Sequence, residues 1–260
     1  MQVLQTRSGR LGYTVAGQGA STILLFNGAG VVLEGWHALY PGIEKLGTVF
    51  AWNRFGMQGS DGPRARQTGA AVIASLRELL GYAGLRPPYL LVGHSLGGLY
   101  ANLFARLYPA ETSGVVLLEA THPADHALLK QHQPQLVRAL ANVLSLPRRL
   151  FQRNVEAELA CVEDTVREIA AAGEFPPVPL RVVTGGMSPK GWLHSPATVA
   201  AKRMHQQELA RLSPLGEQVI AHRSSHFPQL TEPDLVLDVI AGLARHPAPA
   251  VSASAATSPA

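Results

Sequence analysis

The stretch that decides the fold is "YLLVGHSLGGLYANLFARLYP", Tyr89 to Pro109. An apolar run ends at Gly93, Ser95 stands midway between Gly93 and Gly97, and a helical pattern of apolar residues starts straight after it. A short continuous apolar run suits a strand buried on both faces, and the spacing that follows suits a helix packed on it. The question is why a small hydroxyl is placed at that junction.

Outward from this stretch, the same kind of run recurs. "STILLFNGAG" (21–30), "TVFAWNR" (48–54), "SGVVLLEA" (113–120), "PLRVVTGG" (179–186) and "EQVIAHRSS" (217–225) are short and nearly all apolar before they turn polar. The N-terminal residues alternate and turn at Ser8-Gly9, which predicts an antiparallel hairpin. Helical patterns lie between the runs, at 67–85 and 203–214, and after the last of them, at 233–246. Strand–helix alternation of this kind predicts an α/β fold, a mostly parallel eight-stranded sheet with helices on both faces. Ligand sites in such sheets lie beyond the carboxyl ends of the strands.

Composition narrows the classes. With 260 residues, 47% hydrophobic and 15% charged, the chain can bury a core in one domain. The net charge of +4 comes from scattered arginines, densest in "PRRLFQRN" (147–154), with no interleaved aromatics, so no nucleic-acid partner is expected. The single Cys161 sits in a helical pattern and reads as packing, which fits a reducing compartment. No run nears the length of a membrane span and no signal peptide is visible, so the expected location is cytoplasmic, with no membrane partner. The tail 247–260, rich in Pro, Ala and Ser, is expected to be disordered.

"GHSLG" is G-x-S-x-G between an apolar strand and a helix, the setting of a nucleophile elbow. The sharp turn demands small residues two positions before and after the serine, and it lifts the hydroxyl to a positive helix end. A serine hydroxyl needs a base. Of ten histidines, His226 follows the last strand and precedes the last helix, at the same sheet edge. His94 lies inside the elbow and should point away, while His37, His122, His126, His132, His194, His205, His222 and His246 read as surface or packing.

"LLFNGAG" (24–30), "WNRFGMQGSD" (52–61), "VGHSLGG" (92–98), "LLEATHP" (117–123) and "SSHFPQLTEPDLVLDVI" (224–240) together resemble the α/β-hydrolase fold superfamily, the single-domain bacterial kind with a helical cap. The resemblance implies a core of 1–121 and 179–246 and a cap of 122–178. It implies an oxyanion hole from the backbone N–H groups of Leu96 and Ala29, although Asn27 replaces the usual His before Gly28. The family's acid usually follows the seventh strand. Here 182–196 contains no Asp or Glu. Either the acid is missing or it comes from elsewhere: Glu119 ends the preceding strand, as in some branches of the family, and Asp125 is the alternative, equally readable as a helix N-cap.

These residues lead to the expectation of a serine hydrolase that cleaves a small-molecule carboxylic ester, lactone or thioester. Ser95 is the nucleophile, His226 the base and Glu119 the acid. Gly28, Gly30, Trp36 and Phe227 are expected at the substrate. No cofactor or metal is expected, because the histidines lack H-E-x-x-H spacing and the cysteine has no thiolate partner. The same constellation suits a cofactor-free perhydrolase or acyltransferase, and a missing acid would suit a non-catalytic ligand binder.

Overall fold

The computed structural model describes residues 1–125, 155–187 and 196–245. The helices expected within 126–154, His126, His132, His194, His246 and the tail 247–260 lie outside the described residues. Eight strands form one sheet in the order β1-β2-β4-β3-β5-β6-β7-β8. β1 (Gln2–Gln5) and β2 (Arg10–Ala16) are the predicted hairpin, and β2 runs antiparallel to β4 (Thr48–Trp52). From β4 onward all neighbours are parallel: β3 (Thr22–Phe26), β5 (Tyr89–His94), β6 (Thr112–Leu118), β7 (Leu180–Gly185) and β8 (Gly216–Ala221).

The strand sequences read as continuous apolar runs because each face has its own helical layer. Alternation along the strands divides the buried residues into two cores. Leu24, Phe26, Leu91, Val115 and Leu117 face α2 (Gly69–Tyr82) and α3 (Leu96–Leu107), meeting Val72, Leu76, Leu99 and Leu103. Ile23, Leu25, Leu90, Val92, Val116 and Leu118 face the other way. They meet Ile43 of the short α1 (Tyr40–Ile43) and Val236 and Ile240 of the C-terminal helix Pro233–Ala244.

The described part of the 122–178 insertion is helical, as expected, at 155–159 and in α4 (Val162–Ala171). It docks on the flank of the core rather than standing apart from it. The first N–H groups of a helix lack intrahelical acceptors, and α4 supplies them to α2. Gly69 N–H donates to Thr165 Oγ1 at 2.9 Å and Ala70 N–H to Glu168 Oε2 at 2.9 Å. Arg66 pairs with Asp164 beside them. The helix predicted at 203–214 runs instead over Pro196–Ala210 (α5). After β8 come a short turn, α6 (Pro228–Thr231), and α7 (Pro233–Ala244). Among the described residues no helix is long and apolar enough to cross a membrane.

Candidate active site

Ser95 occupies the N-cap position of α3, where a serine normally accepts a hydrogen bond from its own helix. Its backbone, φ 51° and ψ −120°, turns the side chain elsewhere, and it makes no capping bond. The strain is held by packing. A Cβ on Gly93 would come within 2.7 Å of the Gly97 carbonyl oxygen, and one on Gly97 within 2.1 Å of the Phe26 carbonyl oxygen. The first contact is the crowding anticipated from the motif; the second comes from β3 and was not. Ser95 N–H donates to Leu118 O at 3.1 Å and Ser95 O accepts from Thr121 N–H at 3.0 Å, which fastens the turn to β6.

Ser95 Oγ lies 3.1 Å from His226 Nε2. β8 is at the sheet edge, with β7 and β6 between it and β5, so the loop after β8 must reach back across two strands. Buried side chains keep that loop in place. Glu232 accepts from Ser224 Oγ at 2.6 Å and from Arg223 N–H at 2.8 Å. The Ser224 hydroxyl is the main reason the Glu232 carboxyl is held below the usual range.

His94 provides the second tie. The ring packs between His226 and Phe227, and it is not idle packing. Its Nε2 lies 2.8 Å from the His226 carbonyl oxygen and must donate. Burial, with the nearby His226 second, pushes its pKa down to about 3, so the ring is neutral. Gly28 is the residue that leaves room for it, since a Cβ there would sit 2.9 Å from His94 Nδ1.

Among the described residues, Glu119 has the other left-handed non-glycine backbone, φ 43°. Its N–H donates to Val183 O at 2.9 Å, its Oε1 accepts from Gly185 N–H at 2.7 Å, and its Oε2 lies 3.7 Å from His226 Nδ1. The end of β7 therefore contributes a backbone donor where a carboxylate was missing from the sequence. Asp125 is engaged elsewhere. It is 4% exposed, accepts from His122 N–H at 3.0 Å and lies 2.7 Å from His205 Nδ1. Among the described contacts its carboxylate faces His205, not His226.

His122, His205 and Glu208 also converge, the two rings stacked with centroids 4.7 Å apart. Ala124 N–H donates to His122 Nδ1 at 3.1 Å, which places the ring proton on Nε2, 3.5 Å from Glu208 Oε2. The lone pair a cation would need on that nitrogen is thereby occupied by a proton.

The remaining expected site residues divide. Ala29 and Leu96 are buried beside the serine turn, each 2% exposed. Phe227 is half-buried with its ring 5.0 Å from both His94 and His226. Trp36 is 1% exposed in the core, edge-on to His94, so it backs that ring instead of opening onto a pocket. Gly30 directs its N–H to Glu158 Oε2 at 2.8 Å, so this donor is already taken. Sequence reading missed Glu158, Arg54, Glu232 and the role of His94. For Glu158 there was no signal to read, because its partner in the loop lies 128 positions away.

The fold and this serine–histidine–carboxylate arrangement define a class. The chain belongs to the alpha/beta hydrolase family, matched over residues 23–239. Among curated proteins it is 33% identical over 103 residues to the uncharacterized protein YqjL of Bacillus subtilis, 40% of this chain and 41% of that one. It is also 33% identical over 111 residues to the uncharacterized protein Rv2715 of Mycobacterium tuberculosis, 43% of this chain and 32% of that one. The matched region thus spans less than half the length of these relatives.

Solved structures extend the likeness in fold to nearly the whole chain. The enol-lactonase from Burkholderia xenovorans LB400 has a TM-score of 0.70 at 17% identity, covering 94% of this chain and 100% of that one. A thermophilic esterase from Thermogutta terrifontis has a TM-score of 0.68 at 19% identity, covering 94% and 98%. Family membership supports hydrolase activity in general.

Proposed function

We propose that the protein is a serine hydrolase that cleaves a carboxylic ester, lactone or thioester through an acyl-enzyme. The observation that carries this reading is the Ser95 Oγ to His226 Nε2 distance of 3.1 Å, made by a hydroxyl that a strained turn diverts from capping its own helix. The names of the structural neighbours, an esterase and a lactonase among them, favour the same substrate class.

In the first step His226 Nε2 takes the Ser95 proton as Oγ attacks the carbonyl carbon, and the carbonyl oxygen becomes an anion. The backbone N–H groups of Leu96 and Ala29 stabilise that anion, aided by the positive end of α3. The imidazolium then gives its proton to the leaving alcohol or thiol, and the acyl group stays on Oγ. Water enters, His226 takes its proton, and the hydroxide displaces the acyl group while Ser95 regains its hydrogen. Glu119 accepts from His226 Nδ1–H, fixes the tautomer and offsets the imidazolium charge. The two groups stand 3.7 Å apart, and the contact shortens when the ring becomes charged.

A fluorophosphonate probe tests the reading. Stoichiometric labelling that disappears in Ser95→Ala is the expected result, together with turnover of p-nitrophenyl esters. A serine that neither labels nor turns over any ester, thioester or lactone would leave a ligand-binding protein as the reading.

A further inference from the structure

We propose that Glu158, from the segment inserted between β6 and β7, is a positioning residue that sets the oxyanion loop Asn27–Gly30 through Arg54. The proposal rests on the hydrolase reading above for its catalytic consequence.

Arg54 and Glu158 are each 3% exposed and pair through Arg54 Nε and Glu158 Oε1. The rest of both side chains is spent on the loop. Arg54 Nη1–H donates to Asn27 O at 2.8 Å and Nη2–H to Gly28 O at 2.7 Å. Glu158 Oε2 accepts from Gly30 N–H at 2.8 Å. The guanidinium also lies over the Tyr100 ring, 5.5 Å from its centroid, so it is clamped from the α3 side as well.

These bonds take the carbonyls of Asn27 and Gly28 and the N–H of Gly30, the polar groups on both sides of Ala29. Ala29 N–H itself makes no hydrogen bond among the described residues. These bonds hold the loop in a form that leaves this donor free. A buried ion pair adds little net stability over apolar residues of the same volume, so stability alone does not explain this one. What apolar residues cannot supply is four directed hydrogen bonds in a fixed fork. The inserted segment, through its helical turn 155–159, therefore completes the oxyanion-binding geometry.

Two variants test this. Glu158→Asp keeps the charge, so the guanidinium stays paired, but shortens the arm so that Gly30 and Arg54 cannot both be reached. Arg54→Met with Glu158→Leu replaces the pair by apolar side chains and removes the burial cost of any uncompensated charge. Both are expected to lower kcat for p-nitrophenyl acetate by about 10- to 10²-fold, with KM changed less than about 3-fold, because a displaced donor acts on the transition state. Affinity for an alkyl boronic acid, a tetrahedral mimic, should fall in parallel, and amide exchange over 27–31 should rise.

If the pair only fastens the insertion, Glu158→Asp or the apolar pair that melts like wild type will retain kcat and boronate affinity, and the proposal fails. Should the wild type show no Ser95-dependent turnover, the hydrolase reading falls by itself. The clamp is then decided by exchange: unchanged protection of 27–31 in Glu158→Asp and in the apolar pair overturns it.

Discussion

Acidification from about pH 7 to about pH 4 is expected to cost this fold about 3 kcal/mol through the ring of His94 alone. Free imidazole titrates near 6.5, whereas the buried ring does so at about 3. Between those values the unfolded chain binds a proton that the folded one refuses. Stability therefore falls as pH falls, beginning near the free value and ending near the folded one. At about pH 4 the unfolded ring is charged by roughly 2.5 logarithmic units and the folded one hardly at all, and each unit is worth about 1.4 kcal/mol. The assay is urea unfolding across the pH range for wild type and His94→Gln. Glutamine does not titrate, and its amide N–H can replace the donation to the His226 carbonyl. All other groups titrate alike in the two proteins, so the difference isolates the ring. The wild-type advantage should shrink, or its deficit grow, by about 3 kcal/mol from neutral to acid pH. Two profiles that stay parallel would refute the buried, neutral assignment.

Other perturbations separate the roles assigned above. Glu119→Gln should reduce kcat for a p-nitrophenyl ester by about 10²- to 10⁴-fold with little change in melting temperature, whereas Asp125→Asn should leave the rate within a few-fold. The reverse order would move the carboxylate role to Asp125. Gly97→Ala drives a methyl to 2.1 Å from the Phe26 carbonyl oxygen and should destabilise by about 1–3 kcal/mol or more in denaturant unfolding. Cys161 is buried, and burial pushes its thiol pKa up. It should react with Ellman's reagent at least about 10²-fold more slowly in the native protein than in urea.

The sheet was legible because both faces of its inner strands are buried, which makes each strand a continuous apolar run, and because Gly93-x-Ser95-x-Gly97 fixes one strand–helix junction. His226 was legible from its place between the last strand and the last helix. Glu119 was reached through the family resemblance, some branches of which take their acid from the end of the sixth strand, and its Oε2 lies 3.7 Å from His226 Nδ1. What local pattern could not reveal was support from a distance. Trp36 looked like a pocket aromatic because it neighbours the loop after β3, yet the fold turns it into the core behind His94. His94 looked inert because nothing nearby in sequence announces that its partner is a carbonyl 132 residues away. Gly30 read as a ligand contact, and nothing near it in sequence announced that its amide would donate to the carboxylate of Glu158.

The bonds from Thr165 and Glu168 to the first turn of α2 bear on how the molecule can be re-engineered. A chimera that exchanges everything between the sixth and seventh strands for a foreign lid would strip a scaffold helix of its terminal acceptors. The workable seam for such a transplant lies ahead of Val155, with the stretch up to Ala171 carried along as part of the chassis.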